Sequence, residues 1–401
     1  MRSIAELRPE IEGLRAGFEE QLAALVEIPS VSMEPERGSD MGRCADLAVE
    51  YLRSAGAQAR RLETAGPPLV IGKFPGDPSW PTITVYNHLD VQPADPVEWD
   101  SPPFKFTRDD EPGGGPRWFG RGTTDDKGPA LTALLGARLA ARDGVKANLQ
   151  FLWELEEEIG SPHFEQGLQA ARAEGFSTDL VAVSDTIWLS AGRPALPYGL
   201  RGLMGFTVSL TTGAKDVHSG TTGGAARNPI GELAQLIAEC YDARTGRVKI
   251  PGFHDDVRKL SAGERAGLRR AGFSRKRFQA AHELASVRFR DDQQLAEAIM
   301  TRPTFEVHGI AGGYSGPGIK TIVPHAAEAK LSTRLVPDQD PEKVFKRIQR
   351  FIKARCPDAV VTHQTSLAPY LGDIGGPYHE AAVAAMKAAF GQQPGLTREG
   401  G

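Results

Sequence analysis

Apolar side chains recur at helical spacing near the start of the chain, at Ile11, Leu14, Phe18, Leu22 and Leu25, with Arg and Glu between them. That pattern predicts amphipathic helix and not the unbroken apolar stretch of an export signal. Between Leu69 and Ala195 the texture changes to β-branched runs separated by longer helical stretches, which predicts strands joined through helices into a largely parallel sheet. Three apolar runs stand out as its strands: Ile83-Thr84-Val85-Tyr86, Leu149 to Trp153 and Leu180 to Val183. Beyond Arg201 the pattern predicts a strand over Gly205 to Leu210 and a helix over Pro229 to Ala243, followed by a charged region from Asp255 to Asp292. Strands over Thr304 to Ile310 and Ala327 to Val336 and a helix over Pro341 to Arg355 come next. The alanine-rich Tyr378 to Phe390 reads as a last helix, and no strand is expected after the Pro394-Gly395 turn. Glycines 113 to 115 and Gly312-Gly313 read as turns.

At 401 residues the chain exceeds what one ordinary core supports, so two domains are expected. The boundaries drawn from the pattern are an α/β domain over residues 1–199 and 363–401 and an inserted α+β domain over residues 200–362. With 47 Lys+Arg against 51 Asp+Glu and no basic block, nothing provides the electrostatic footprint of a nucleic-acid binder. No apolar run approaches the length that crosses a bilayer, so no membrane partner is expected either. Cys44, Cys240 and Cys356 lie far apart and form no CxxC spacing, which argues against a disulfide framework and a cysteine zinc site and for a cytoplasmic, reducing location.

Each of the three strand-like runs ends in a residue able to hold a metal. The first leads to His88, the second to Glu154, Glu156, Glu157 and Glu158, the third to Asp185. In open α/β sheets such strand ends converge on one crevice. A fourth candidate, Asp125, lies in Gly120-Arg121-Gly122-Thr123-Thr124-Asp125-Asp126-Lys127-Gly128, just before a helix expected near Pro129. Taken singly, each has a plainer reading: His88 as a satisfied polar residue, Asp125-Asp126 as a helix cap, the glutamates as a solvated face, Asp185 as a turn residue. Together they supply the imidazole and carboxylate donors that hold zinc or manganese pairs, with Asp90 placed to fix the tautomer of His88.

His88-Leu89-Asp90, Gly122 through Gly128, Glu157-Glu158-Ile159-Gly160-Ser161, Asp185 and His218-Ser219-Gly220 resemble, in order, the motifs of the M20 metallopeptidase family. The likeness is to its carnosinase-like, nonspecific dipeptidase branch. It continues through Leu200-Arg201-Gly202, Lys320-Thr321 with Pro324, Arg334-Leu335-Val336-Pro337 and Thr397-Arg398-Glu399-Gly400-Gly401. The resemblance implies a dizinc-peptidase catalytic domain with an inserted lid and dimerisation domain. It implies two divalent ions, zinc or manganese, with Asp125 bridging them, His88 and Asp185 completing one site and Glu158 belonging to the other. Glu157 is then the general base, and the Asp125-Asp126 peptide is cis. The resemblance further implies a homodimer in which His218 binds the oxyanion in the partner subunit's site, with Arg334 holding the carboxylate of a small peptide and Thr321, Gly400 and Gly401 contacting substrate.

The reaction so implied is hydrolysis of a dipeptide or short peptide. Alternatives are deacylation of an N-acyl amino acid by the same machinery and a catalytically silent metal-binding protein of the same fold. The family takes one more histidine from a segment that follows the Thr-Arg-Glu-Gly-Gly motif. Since His363 and His379 precede that motif, neither is assigned, and the reading expects a fragment or an enzyme with a weakened second metal site.

Overall fold

A computed structural model describes residues 2–110, 115–190 and 192–400. The turn expected at residues 113 and 114 and the substrate contact expected at Gly401 lie outside them. The chain folds as two compact units, Met1–Thr186 and Ile187–Gly401.

In the first unit, the helical periodicity at the start divides into two helices, Ile4–Gly13 and Arg15–Val26, with the break at Leu14. The second helix turns Leu22, Leu25 and Val26 into the core, while Ile11 on the first stays 46% exposed. A five-stranded sheet follows, in the order Gln58–Leu62, Leu69–Lys73, Asn148–Glu154, Thr82–His88, Leu180–Val183. The last three run parallel, and the Leu69–Lys73 strand is antiparallel to Asn148–Glu154, so the sheet is mixed at one edge. Asn148–Glu154 is buried along its whole length because both faces of the sheet are covered. Phe151 and Trp153 pack with Leu131 and Leu134 of the Lys127–Arg142 helix, and Leu152 packs on the other face with Leu69 and Ala171.

In the second unit, a four-stranded antiparallel sheet has the order Glu306–Gly312, Ala326–Leu335, Gly202–Thr211, Val360–Leu367. Strict alternation along Gly202–Thr211 sends Met204, Phe206, Val208 and Leu210 to one face, where Leu233 and Leu236 of Pro229–Cys240 and Val344 and Ile348 of Pro341–Arg355 cover them. The charged region contains two helices, Ala262–Ala271 and Arg275–Ala281. One expectation is corrected: a strand, Gly395–Glu399, does follow the Pro394-Gly395 turn and runs parallel to Ala195–Leu200 in a three-stranded sheet with Tyr370–Leu371. Five residues with two charges carry no visible alternation, and the partner that makes them a strand is distant in sequence. Among the described residues no helix is long and apolar enough to cross a membrane. All three cysteines are free and buried.

Candidate metal centre

Thr82–His88 and Asn148–Glu154 pair in parallel register with His88 opposite Glu154, and Tyr86 lies opposite Val183 of the third parallel strand. The chain therefore leaves all three strands at one end, into Leu89-Asp90, Leu155 to Glu158 and Ser184-Asp185. The Asp125 loop reaches the same end through a tight turn. Gly122 has φ +92, and a Cβ at Gly128 would lie 2.1 Å from the Thr123 carbonyl oxygen, so neither position accepts a side chain without a shift. Lys127, fully buried, anchors the loop by donating from Nζ to the carbonyls of Leu25 and Ile28, both at 2.8 Å.

His88 Nε2 lies 2.9 Å from Asp125 Oδ1 and 3.6 Å from Asp185 Oδ2. One donor atom from each of these three residues falls within 4.8 Å of the others. On the other side of the ring, His88 Nδ1 is 3.1 Å from the Asp90 carbonyl and 3.3 Å from its carboxylate. The same carboxylate accepts the backbone N–H of Glu157 on Oδ1 and of Glu158 on Oδ2, each at 3.1 Å. Asp90 thus fixes both the imidazole and the turn that carries the two glutamates, which is more than the tautomer role read from sequence. Glu158 Oε2 accepts from Gln92 Nε2 at 2.8 Å, while its Oε1 is buried with no partner among the described residues.

The structure sorts the four glutamates. Glu154 accepts from the Tyr86 hydroxyl on Oε1 at 2.6 Å, and Glu156 is bound by His163 Nδ1 at 2.9 Å, so each is tied to a neighbour away from the His88 cluster. Glu157 and Glu158 remain half-buried at the strand end. The two aspartates also separate. Their peptide bond is cis. Asp125 faces His88, whereas the buried Asp126 carboxylate accepts from Asn87 Nδ2 at 2.7 Å and from the His88 N–H at 3.3 Å. Asp126 stands at the N-cap of Lys127–Arg142 yet makes no side-chain cap bond. Asn87, Gln92 and Lys127 escaped the sequence reading. Lys127 lay inside the quoted glycine-rich motif, but Gln92 had no pattern to mark it.

Negative charge exceeds positive here. Burial pushes the Asp126 carboxyl up to about 8, against its Asn87 hydrogen bond, and pushes Glu157 up to about 7, where the His88 charge opposes the rise and Asp185 and Glu158 add to it. Glu158 and Asp185 are raised by burial too. Burial disfavours a charged His88, but the Asp125 and Asp90 hydrogen bonds outweigh it and carry the imidazole up to about 11. Divalent metals bind deprotonated ligands and release protons, so a cation at this cluster would relieve the crowding of its carboxylates. One imidazole, several oxygens and the orphaned Glu158 Oε1 form a donor set suited to a divalent ion.

The remaining site candidates belong to the second unit. His218 sits on a two-residue ribbon, Val217–His218, paired with Ile322–Val323. Its Nδ1 accepts from the Gly220 N–H at 3.0 Å, and its Nε2 lies 3.3 Å from Thr321 Oγ1, so these two candidates come together on an exposed loop. Arg334 is on the Ala326–Leu335 strand, and Gly400 lies beside Arg201, where a Cβ would stand 2.8 Å from Nη2. His363 packs its ring against Phe345, and His379 Nδ1 accepts from the Gly375 N–H.

The model of the peptidase dimerisation domain matches residues 198–360. The Cys-Gly metallodipeptidase of Saccharomyces cerevisiae is 30% identical over 423 aligned residues, covering 100% of this chain and 87% of that protein. The Beta-Ala-His dipeptidase of Mus musculus is 29% identical, covering 94% of this chain and 79% of its own length. Among solved structures, human carnosine dipeptidase 1 superposes with a TM-score of 0.84 at 28% identity, over 98% of this chain and 87% of the other. An M20 family metallo-carboxypeptidase from Sulfolobus solfataricus gives 0.85 at 31% identity, over 94% and 85%.

Proposed function

The chain belongs to the M20 family of metallopeptidases, in its carnosinase-like dipeptidase branch, and from that premise we propose that it hydrolyses the amide bond of dipeptides or short peptides with Glu157 as general base. The convergence of His88, Asp125 and Asp185 beside Glu157 carries this reading. Asp125 would be shared between two divalent ions, with His88 and Asp185 on one and Glu158 on the other. Zinc is the favoured metal and manganese the alternative. Bound there, such ions lower the pKa of water and polarise a carbonyl.

The chain's own groups supply the rest. Glu157, raised toward neutrality by burial, takes a proton from the attacking water and returns it to the leaving nitrogen. Asp90 holds Glu157 and Glu158 through their N–H groups, so the base is fixed by backbone and not by a flexible side-chain contact. His218 would donate to the oxyanion from the partner subunit of a homodimer. The dimerisation-domain match over residues 198–360 and the exposed ribbon around His218 support that assignment. Arg334 would hold the substrate carboxylate, with Thr321, Gly400 and Gly401 as further contacts. Residues 1–199 and 363–401 would form the catalytic domain, with 200–362 as lid and dimerisation domain. The buried free thiols favour a cytoplasmic location.

The test is a panel of dipeptides and N-acyl amino acids assayed after chelation and after adding back Zn²⁺ or Mn²⁺. Dipeptide cleavage that vanishes on chelation and returns with metal is the expected result. Cleavage confined to N-acyl amino acids would reassign the substrate, and no cleavage by metal-loaded protein would make it a silent member of the fold.

A further inference from the structure

Ala195–Leu200 and Gly202–Thr211 meet at Arg201, whose N–H donates to the Glu399 carbonyl at 3.0 Å. In the antiparallel ladder Leu203 lies opposite Arg334 and Gly202 opposite Leu335, which brings Arg201 and Arg334 to the same end. The Arg201 guanidinium is poorly served by the protein. Nη1 reaches the Arg302 carbonyl only at 3.4 Å, and Nε is buried without a partner among the described residues. Gly400 leaves open the space in front of Nη2 that a Cβ would enter at 2.8 Å. Among the described residues no carboxylate is in ion-pair contact with Arg201 or with Arg334. Burial pulls the Arg201 pKa down to about 10, with the charge of Arg334 adding to the fall and Glu306 opposing it; burial lowers Arg334 as well. Elsewhere in this unit a buried arginine is matched, as Arg398 is by Glu264. Two adjacent guanidiniums withdrawn from water without an anion mark a place for one, because a charge is held in such surroundings only when it is paired.

We propose that Arg201 is a specificity-determining residue that, with Arg334 and the chain at Gly400, cradles the C-terminal carboxylate of the substrate. The planar fork of a guanidinium meets a carboxylate with two parallel hydrogen bonds, and a second fork beside it engages the remaining lone pairs. The assignment rests on the reading of the protein as a hydrolase of peptides with a free C-terminus.

Arg201→Met and Arg201→Lys are compared with the wild type on a dipeptide and on its C-terminal amide, and KM and kcat are separated. Arg201→Met should raise KM for the acid about 10- to 100-fold, the range of a charge-assisted hydrogen bond, with a much smaller change in kcat. The amide, weakly bound by the wild type, should be little affected. Arg201→Lys, which keeps the charge and loses the fork, should fall between and serves if Arg201→Met folds poorly. A second readout needs no turnover: leucine, a free carboxylate, should raise the Tm of the wild type more than leucinamide does, and Arg201→Met should erase that difference. Equal losses on acid and amide, an undiminished preference for the acid in both variants, or a wild type that treats acid and amide alike would overturn the proposal. A wild type that cleaves no dipeptide, yet discriminates leucine from leucinamide through Arg201, would overturn the hydrolytic reading and leave the cradle standing.

Discussion

The two units each contain charge that their own described residues leave uncompensated, and the signs are opposite. Around His88 in the first unit, Asp125, Asp185, Glu157 and Glu158 outnumber the cations that face them, and burial drives their carboxyls up, Asp125 excepted, because its bond to His88 holds it down. Around Arg201 in the second unit, burial drives guanidiniums down. The buried Arg398–Glu264 pair gives the contrast: its side chains are 3% and 7% exposed and each meets the other's charge. Matched burial is architecture, whereas unmatched burial of one sign marks where a ligand of the other sign belongs. A divalent cation answers the first cluster and a carboxylate the second, and a peptide metallohydrolase meets both.

The sharpest way to break this contrast is Glu157→Gln. The amide cannot accept a proton but keeps the size of the side chain, and the N–H bond to Asp90 is untouched. We expect kcat to fall about 100- to 10,000-fold, the range of a lost general base, with metal content measured by elemental analysis unchanged. Near-normal turnover in protein of verified mass would move the base to another acid. His218→Ala comes next, with an expected loss of about 100- to 1,000-fold in kcat, as for removal of one oxyanion donor. Mixing it with Glu157→Gln should restore part of the activity if the donor acts from the partner subunit. Subunit exchange without rescue would confine His218 to its own chain or remove it from the reaction.

A smaller effect is expected of Asp90→Asn. One carboxylate now serves His88 Nδ1 and two backbone N–H groups, and an amide offers only one accepting end. Residues that orient metal ligands from behind are worth about 10- to 100-fold in affinity or activity. The variant should lose metal at lower chelator concentrations than the wild type, in proportion to its loss of rate. Unchanged metal retention would reduce Asp90 to a support of the Glu157 turn.

Much of the first cluster was legible in the sequence because the three parallel strands read as apolar runs, wholly buried in Asn148–Glu154 and largely exposed in Leu180–Val183, and each has a metal-binding side chain within two positions of its end. His88, Asp185 and the glutamates were found that way. Which glutamates are tied to neighbours away from His88 was not legible, since the partners of Glu154 and Glu156 are Tyr86 and His163, one on another strand and one beyond the turn. Gln92, a single amide with no period or spacing, gave no sign that it binds Glu158. In the second unit, the helix over Pro341 to Arg355 was legible with its observed bounds from periodicity. The Gly395–Glu399 strand was missed because its partner is remote. For the same reason nothing in Leu200-Arg201-Gly202 tells that Arg201 meets no carboxylate among the described residues: an ion pair, or its lack, is a property of segments far apart in the chain.

The smallest expected effect tests the matched side of the contrast. Ser261 caps the Ala262–Ala271 helix by accepting the Glu264 N–H at 3.1 Å, and its own N–H donates to the Glu264 carboxylate at 2.9 Å. Burial tends to raise the Glu264 pKa, but the hydrogen bonds that the Ser261 N–H and hydroxyl make to its carboxylate, with the Arg398 charge, outweigh it, so the carboxyl is held below its ordinary value. A group depressed in the folded state stabilises the fold above its unfolded pKa, and that contribution disappears as pH falls through the lowered folded pKa. Ser261→Ala removes the hydroxyl cap and keeps the backbone donor, so it should cost about 1 kcal/mol at neutral pH. Part of that cost is the hydroxyl's hold on the ionised carboxylate. The gap in Tm between variant and wild type should therefore narrow as the pH is lowered through the Glu264 titration, while KM and kcat at neutral pH stay unchanged. A gap that is constant with pH would assign the whole cost to the helix cap, and a change in kcat would show that the Arg398–Glu264 pair is not architecture alone.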